Sequence, residues 1–246
     1  MKGDNIIKED KIRRFSTTRI IEHWMTIITL GILGVTGLSQ KFYSLALSQW
    51  FIFQLGGIDN VRLIHRYTGI ALSIVIAVHI IAGIIGVVFK KWQTSMIINK
   101  KDFLDAIHNI KYYIGIESHP ARCDRYDYKQ KFEYWGVLIS GLLMVVTGMA
   151  LWFPTLVTRF LPGEVIPTAK ILHTNQAFLV FLIVALWHIY NSILSPEVFP
   201  LDTVIFTGKI SKERMIHEHP LEYERLFNIS LEGSEGEGIP KDKVAT

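Results

Sequence analysis

The sequence has little cysteine, and it has no charge at all within four long stretches. A single cysteine among 246 residues excludes a framework of disulfide bonds, and a composition that is half apolar excludes a chain that stays disordered. The stretches without Asp, Glu, Lys or Arg run from Trp24 to Gln40, Tyr67 to Phe89, Tyr134 to Thr158 and Ile171 to Pro196. With its flanking turns, each reaches the roughly 20 residues that cross the hydrocarbon of a bilayer. The sequence therefore predicts an all-α, integral membrane four-helix bundle.

These stretches place the helices at about 20-40, 63-89, 132-155 and 171-195. The first stretch follows polar residues and a histidine and lacks a small-x-small cleavage site, so we interpret it as a retained helix rather than a signal peptide. We predict a transmembrane domain over residues 1-195 and a cytoplasmic tail over residues 196-246, where charge and glycine replace apolar residues.

The distribution of Lys and Arg predicts the orientation of the helices. Residues 1–19 contain six, 90–131 nine and 196–246 six, whereas 40–62 and 154–170 contain two each. Cytoplasmic segments carry the excess of positive charge, so both termini and the central loop are expected in the cytoplasm. Contact with anionic lipid then explains the basic composition, and no nucleic acid partner is expected.

Two further segments are expected to lie along the membrane surfaces as interfacial helices. Apolar side chains recur at three-and-four spacing between Lys100 and Tyr113, which predicts an amphipathic helix on the cytoplasmic side. The segment from Phe42 to Gly56 has the same character on the outside. Its aromatic residues suit the membrane interface; they are Phe42, Trp50, Phe51 and Phe53.

The sequence also contains an internal echo. Glu22-His23-Trp24 followed by Thr36-Gly37 recurs as Glu133-Tyr134-Trp135 followed by Thr147-Gly148, with twelve residues from Trp to Thr in both copies. The second and fourth predicted helices each carry one histidine near the start and another downstream. The echo favours a duplicated helix hairpin, and chance resemblance between apolar helices is the alternative.

Five of the nine histidines fall within or at the ends of the predicted spans: His23, His65, His79, His173 and His188. Ionisable residues are rare inside membranes and usually functional. For a single histidine the alternative is an interhelical hydrogen bond. The fourteen residues from His65 to His79 span about 21 Å of helix, and the fifteen from His173 to His188 about 22 Å. The spacing predicts two layers of imidazoles, each suited to hold a flat macrocycle between helices.

Two axial histidines per iron are typical of a b-type haem in a helix bundle. A c-type haem is excluded because no CxxCH motif is present. We therefore expect about two b haems per chain. The outer layer offers only His65 and His173, whereas His23, His79 and His188 compete in the inner layer, where the symmetry of the echo favours His79 with His188. Because His173 and His188 lie about 60° off a common helix face, their alignment requires a local adjustment or a tilt of the helix.

The chain resembles the di-haem cytochrome b subunits of respiratory formate dehydrogenases and nickel-iron hydrogenases, and bacterial cytochrome b561, over roughly residues 15 to 195. The motifs that carry the resemblance are Glu22-His23-Trp24, His65-Arg66-Tyr67-Thr68-Gly69, His173-Thr174-Asn175-Gln176-Ala177 and Trp187-His188-Ile189-Tyr190-Asn191. The resemblance implies that His65 and His173 hold the outer haem and that His23 and His188 hold the inner one. We follow the family on His23. His79 departs from the family pattern, and three alternatives stay open for it: a ligand in place of His23, a ligand of a third haem, or part of a quinone pocket.

Four charged or protonatable residues complete the candidate site. Arg66 is expected to pair with haem propionates, with anchoring at the lipid headgroups as the alternative. Glu22, Glu133 and Tyr134 lie at the cytoplasmic boundary, where they are candidates to exchange protons with a quinone. Interfacial anchoring and helix capping are the alternatives for these three.

The resemblance implies a bacterial inner-membrane subunit that transfers electrons between the quinone pool and a redox partner on the outer side. That partner is expected to be a multihaem cytochrome c or an iron-sulfur/molybdenum subunit, and chemistry on any other substrate would belong to it. Two alternatives stay open: a haem-free transporter in which histidines relay protons or ions, and a membrane anchor subunit.

Overall fold

The structure is a computed structural model that describes residues 11–195 and 198–231. Its elements in chain order are β1 (Lys11–Arg13), α1 (Thr17–Lys41), α2 (Ala46–Gln54), α3 (Ile58–Val88), α4 (Lys100–Tyr113), α5 (Tyr128–Trp152), α6 (Pro154–Val157), α7 (Val165–Ile183), α8 (Val204–Thr207), β2 (Lys209–Ser211), α9 (Lys212–Glu218) and α10 (Pro220–Phe227). Two π-helical segments, Val184–His188 and Tyr190–Leu194, continue α7. The start of the predicted transmembrane domain, residues 1–10, and the end of the predicted tail, residues 232–246, lie outside the described residues.

Four helices are long and apolar enough to cross a membrane: α1, α3, α5, and α7 with its continuation to Leu194. They contain 25, 31, 25 and 30 residues, and the all-α membrane bundle is thereby confirmed. Helices α3 and α7 begin five and six residues earlier than expected, at Ile58 and Val165. The uncharged stretches mark only the hydrocarbon-spanning part of a helix, whereas the helices themselves extend into polar surroundings.

Amphipathic α4 has the expected bounds. Asn99 caps it through a capping box with Asp102, since each side chain accepts from the backbone N–H of the other residue. Asp102 and Asn109 are buried, whereas Phe103 and Ile107 on the apolar side are 67% and 53% exposed. The apolar side therefore points away from the residues that pack against α4, as an interfacial helix requires.

The chain forms two compact units, one of which contains the segments 11–14, 94–132 and 209–231 among the described residues. In this unit β1 and β2 pair as antiparallel strands, with Ile12 opposite Ile210. Its core includes Met215 and Tyr223, which are 1% and 4% exposed. Residues 209–231 of the predicted tail are thus folded, and the domain boundary at residue 195 stays a prediction.

The other unit contains the segments 15–93 and 133–208, apart from Pro196 and Glu197. In it α1 packs along α3, and α7 packs on α1. This unit contains all the histidines of the predicted spans.

A buried ion pair fastens α4 to the start of α5 within the first unit. Nζ of Lys131 lies 2.7 and 2.9 Å from the two carboxylate oxygens of Asp102, and the side chains are 7% and 10% exposed. Removing one partner of a buried pair leaves an uncompensated charge, which is far more destabilising than loss of an exposed pair.

We predict that Lys131→Met lowers the free energy of local unfolding around α4 by about 3 to 5 kcal/mol. The matched control is Lys101→Met, because the pair of Lys101 with Asp105 is partly exposed and is expected to contribute less than about 1 kcal/mol. Hydrogen exchange of the α4 amides measures both values. Equal effects of the two substitutions would contradict the prediction.

Buried His219 should make the stability of the first unit depend on pH. Burial, aided by the charge of Arg14, lowers the pKa of His219 from its ordinary value near 6.5 to about 3, and its Nδ1–H donates to the carbonyl oxygen of Asp124 at 2.8 Å. The unfolded chain takes up a proton below about 6.5 and the folded chain only near 3. The contribution of His219 to stability is therefore complete above 6.5 and is lost as the pH falls toward 3.

The measurement is urea unfolding of the first unit at a series of pH values, with His219→Asn as the variant. This variant should show a weaker fall in stability with acid than the wild type. Exposed His217, replaced by Asn, is the control and should leave the pH dependence unchanged. A variant at position 219 with the wild-type pH dependence would rule this explanation out.

Candidate functional site

Two histidines meet between α3 and α7. His65 lies on α3 and His173 on α7, and the centroids of their rings are 6.3 Å apart, with the ring planes inclined by 76°. The structure thus brings together the two residues expected in the outer layer. We refer to them as the His65–His173 pair.

Thr36 on α1 determines which nitrogen of His65 carries the proton. The Thr36 hydroxyl donates to the carbonyl oxygen of Ile32 at 2.7 Å, and its oxygen lies 2.9 Å from Nδ1 of His65. Because a hydroxyl has one proton, the Nδ1–H of His65 donates to Thr36. Nε2 then keeps its lone pair, which is the form of imidazole that binds a metal.

The same arrangement recurs at His173. Thr147 on α5 donates to the carbonyl oxygen four residues earlier at 2.7 Å and accepts from the Nδ1–H of His173 at 2.9 Å. Each threonine precedes a glycine. A Cβ at Gly37 would lie 3.3 Å from Cε1 of His65, and one at Gly148 would lie 3.2 Å from Cε1 of His173. In each Thr-Gly dipeptide, therefore, the threonine orients the histidine ring through a hydrogen bond and the glycine leaves space for it.

A second pair is formed by His23 on α1 and His188 in the π-helical continuation of α7, with ring centroids 6.1 Å apart. The Nδ1–H of His188 donates to Oε1 of Glu133 at 2.6 Å. This bond leaves Nε2 of His188 with its lone pair, and a carboxylate in this position is common behind metal-binding histidines. Of the three histidines expected in the inner layer, the structure brings together His23 and His188.

His79 on α3 has a different environment. Its Nδ1 lies 2.9 Å from Nη1 of Arg19 and 3.1 Å from Oε2 of Glu22. Its Nε2 lies 2.9 Å from the hydroxyl of Tyr134. Both nitrogens of His79 are thus engaged by protein side chains, and its role as a haem ligand stays a prediction. We refer to Arg19, Glu22, His79 and Tyr134 as the His79 cluster.

Each neutral tautomer of the imidazole finds hydrogen-bond partners in the His79 cluster, although an Nδ1–H also meets the N–H donor of Arg19 at 2.9 Å. With Nε2 protonated, His79 donates to Tyr134 and accepts from Arg19. With Nδ1 protonated, it donates to Glu22 and accepts from the Tyr134 hydroxyl. Exchange between the two tautomers moves a proton across the ring, so the cluster is suited to proton transfer.

The loop after α3 supports this cluster from one side. Cζ of Arg19 lies 5.6 Å from the centroid of the Trp92 ring, a cation–π contact. Trp92 in turn packs on Gly86, where an added Cβ would overlap the indole. The absence of a side chain at position 86 thus allows the loop to fold back toward Arg19.

The polar residues at this end of the bundle follow the echo in the sequence. Glu22 and His79 belong to the first hairpin and lie 3.1 Å apart, while Glu133 and His188 belong to the second and lie 2.6 Å apart. Each hairpin therefore contains an equivalent pair of glutamate and histidine.

The equivalent pairs differ in what faces the histidine. His188 faces His23, whereas His79 faces Tyr134 at a ring-centroid distance of 5.7 Å. In the echo, Tyr134 occupies the position of His23. Each pair thus joins the two copies: one consists of two imidazoles, and the other of an imidazole hydrogen-bonded to a phenol.

Arg66 follows His65 directly, and its guanidinium carbon lies 5.5 Å from the centroid of the Trp152 ring on α5. A guanidinium stacked on an aromatic ring still presents its N–H groups at the edge of its plane. Its role as a propionate partner stays a prediction.

Three residues of the site gain a role only from the structure: Thr36, Thr147 and Arg19. The repeated Thr-Gly was visible in the sequence, but nothing in the spacing shows which ring each threonine contacts. Arg19 precedes Glu22 by three residues, a spacing that allows an ion pair on any helix, and the two side chains are 2.7 Å apart in the structure. This spacing does not indicate that Arg19 also contacts His79.

The chain is similar to cytochrome b subunits of membrane-bound oxidoreductases. It is 27% identical over 189 residues to the formate dehydrogenase cytochrome b556(fdo) subunit of Escherichia coli K12, covering 76% of this chain and 81% of the relative. It is 28% identical over 190 residues to the formate dehydrogenase cytochrome b556 subunit of Haemophilus influenzae, covering 77% and 74%. A probable Ni/Fe-hydrogenase 1 B-type cytochrome subunit of E. coli K12 is 22% identical over 154 residues, covering 61% and 63%. No family model matches the sequence.

These relatives confirm the resemblance to the cytochrome b subunits of formate dehydrogenases and hydrogenases. Together with the four membrane-capable helices, they establish a membrane protein. The identities are modest, and the matches to the two formate dehydrogenase subunits cover about three quarters of this chain.

Proposed function

We propose that this chain is the b-type cytochrome subunit of a respiratory complex and transfers electrons between a quinone and a partner redox subunit. The observation that carries the proposal is the presence of two histidine pairs with ring centroids 6.3 and 6.1 Å apart. In three of the four rings, Nδ1 is bonded to Thr36, Thr147 or Glu133. The similar cytochrome b subunits support the same role.

The histidine pairs fit a haem better than a bare metal ion. Two metal–nitrogen bonds of about 2 Å on opposite sides of one ion separate the nitrogens by about 4 Å. The distance from each nitrogen to the centroid of its own ring accounts for the rest of the distance between the two centroids. Within residues 11–195 and 198–231, no group of three or more His, Cys, Asp or Glu side chains is arranged to hold a metal. A porphyrin supplies the remaining four donors that a histidine pair lacks.

His65 and His173 would hold one haem, and His23 and His188 the other. Held by these side chains, a haem would supply one-electron transfer. The protein holds the rings in place, fixes their tautomers and excludes water with the apolar helices. Arg66 is placed beside His65 to bind a propionate through its guanidinium edge.

The His79 cluster is the proposed place of proton exchange with the quinone. Interconversion of a quinone and a quinol moves two electrons and two protons, so electron transfer at the His23–His188 pair needs a nearby proton carrier. The tautomers of His79 connect Glu22 to the Tyr134 hydroxyl, which would donate to or accept from a quinone oxygen. Glu133, which was expected in this role, is instead bonded to His188.

The partner subunit is proposed to dock on the outer side, near the His65–His173 pair. Iron-sulfur/molybdenum proteins and multihaem cytochromes c are the partner classes considered. The alternating density of Lys and Arg supports an inner-membrane location with both termini in the cytoplasm.

We predict a b-type reduced-minus-oxidised spectrum with about two haems per chain. His65→Ala should lose one haem, because it removes an axial ligand. His79→Leu, the matched control on the same helix, should keep both. A purified chain without haem despite an adequate supply would leave the transporter or the anchor as its function, and loss of a haem in His79→Leu would refute the assignment of His23.

We predict that Tyr134→Phe slows haem reduction by a soluble quinol analogue about 100-fold or more, since loss of one acid–base group typically has this effect. Haem content should stay unchanged. Exposed Tyr67 on α3, replaced by Phe, is the control and should reduce at the wild-type rate. An unchanged rate in Tyr134→Phe would exclude the phenol from proton exchange.

A further inference from the structure

We infer that Thr36 and Thr147 are positioning residues that hold His65 and His173 with Nε2 free for iron, and that Glu133 does the same for His188. The inference rests on the proposed haem ligation. It assigns a hydroxyl acceptor to both histidines of one pair and a carboxyl acceptor to His188 of the other pair.

Thr36 and Thr147 form the same two hydrogen bonds at the same distances. In both copies the hydroxyl donates to the carbonyl oxygen four residues earlier at 2.7 Å and accepts from Nδ1 at 2.9 Å. Thr36 and Thr147 are 2% and 5% exposed, so water does not compete for either contact. Their hydroxyl protons are committed to the backbone, which leaves Nδ1 as the only donor in each contact.

A threonine elsewhere on α1 shows that the backbone bond alone does not explain this arrangement. Thr29 is 4% exposed, and its hydroxyl donates to the carbonyl oxygen of Met25 at 2.8 Å. No histidine contact is formed by Thr29 in the described part of the chain. Thr29 therefore provides a control with the same burial and the same bond to the helix.

The acceptor at Nδ1 tunes the electron density of the opposite nitrogen. A carboxylate draws the Nδ1 proton more strongly than a hydroxyl, which makes the imidazole a more basic ligand and favours ferric over ferrous iron. Replacing the Glu133 carboxyl group by an amide should therefore raise the midpoint potential of the haem at the His23–His188 pair.

The test is a redox titration of the full-length protein in detergent, with haem content and low-spin ferric EPR spectra measured on the same samples. Thr36→Val removes the acceptor at nearly constant volume and should weaken haem retention about ten- to hundredfold, with a shifted EPR signal in the retained fraction. Thr36→Ser keeps the hydroxyl and should restore both properties. Thr29→Val should match the wild type.

Glu133→Gln should raise the midpoint potential of one haem component and leave the other unchanged. Thr147→Val should alter the opposite component. If Thr36→Val and Thr147→Val retain haem with unchanged potentials and EPR signals, the inference is overturned although the cytochrome assignment stands. If Thr29→Val has the same effect as Thr36→Val, the effect reflects helix packing and the inference is overturned as well. A wild-type protein without a b-type spectrum would instead overturn the proposed function.

Discussion

Hydrogen bonds from Nδ1 of the membrane-embedded histidines are the constraint on which the rest of the site depends. A polar group inside an apolar bundle must be hydrogen-bonded, and an imidazole has two nitrogens to satisfy. Thr36, Thr147 and Glu133 satisfy one nitrogen each and leave the other for a ligand. At His79 both nitrogens are hydrogen-bonded to side chains.

The repeated hairpins explain how one bundle contains both arrangements. In each hairpin a threonine and a glycine on the first helix seat a histidine, and a glutamate on the first helix bonds a histidine further along the second. The echo places His23 and Tyr134 at equivalent positions, where His23 faces an imidazole and Tyr134 is hydrogen-bonded to one. In the proposed function, the first position serves electron transfer and the second serves proton transfer.

Much of the bundle was predictable from the sequence, because hydrophobic length and the spacing of histidines are local properties. The four spans, α4 and the opposition of His65 to His173 follow from such patterns. The role of His79 does not, because spacing gives the depth of a residue and not its partners. Symmetry favoured His79 with His188, whereas the structure sets His23 beside His188, as the family resemblance implied.

Two other features depend on contacts that a linear pattern cannot show. A misalignment around the helix axis was expected between His173 and His188, and π-helical turns lie between them, from Val184 to His188. A π-helix rotates less per residue than an α-helix, so these turns reduce the angle between the two side chains. The folded part of the tail is held by ion pairs between distant segments, such as Arg125 with Glu222 at 2.6 Å. From the composition of the sequence, this segment was predicted only to be a cytoplasmic tail.

The bare backbone at Gly86 has an effect well beyond its own helix. Because Trp92 occupies the space that a methyl group would take, the indole remains under the guanidinium of Arg19, and Arg19 remains against Nδ1 of His79. The short connection after α3 therefore bears on the position of an imidazole within α3 through two intervening contacts, so a larger residue at position 86 would displace Trp92 and remove the support of Arg19.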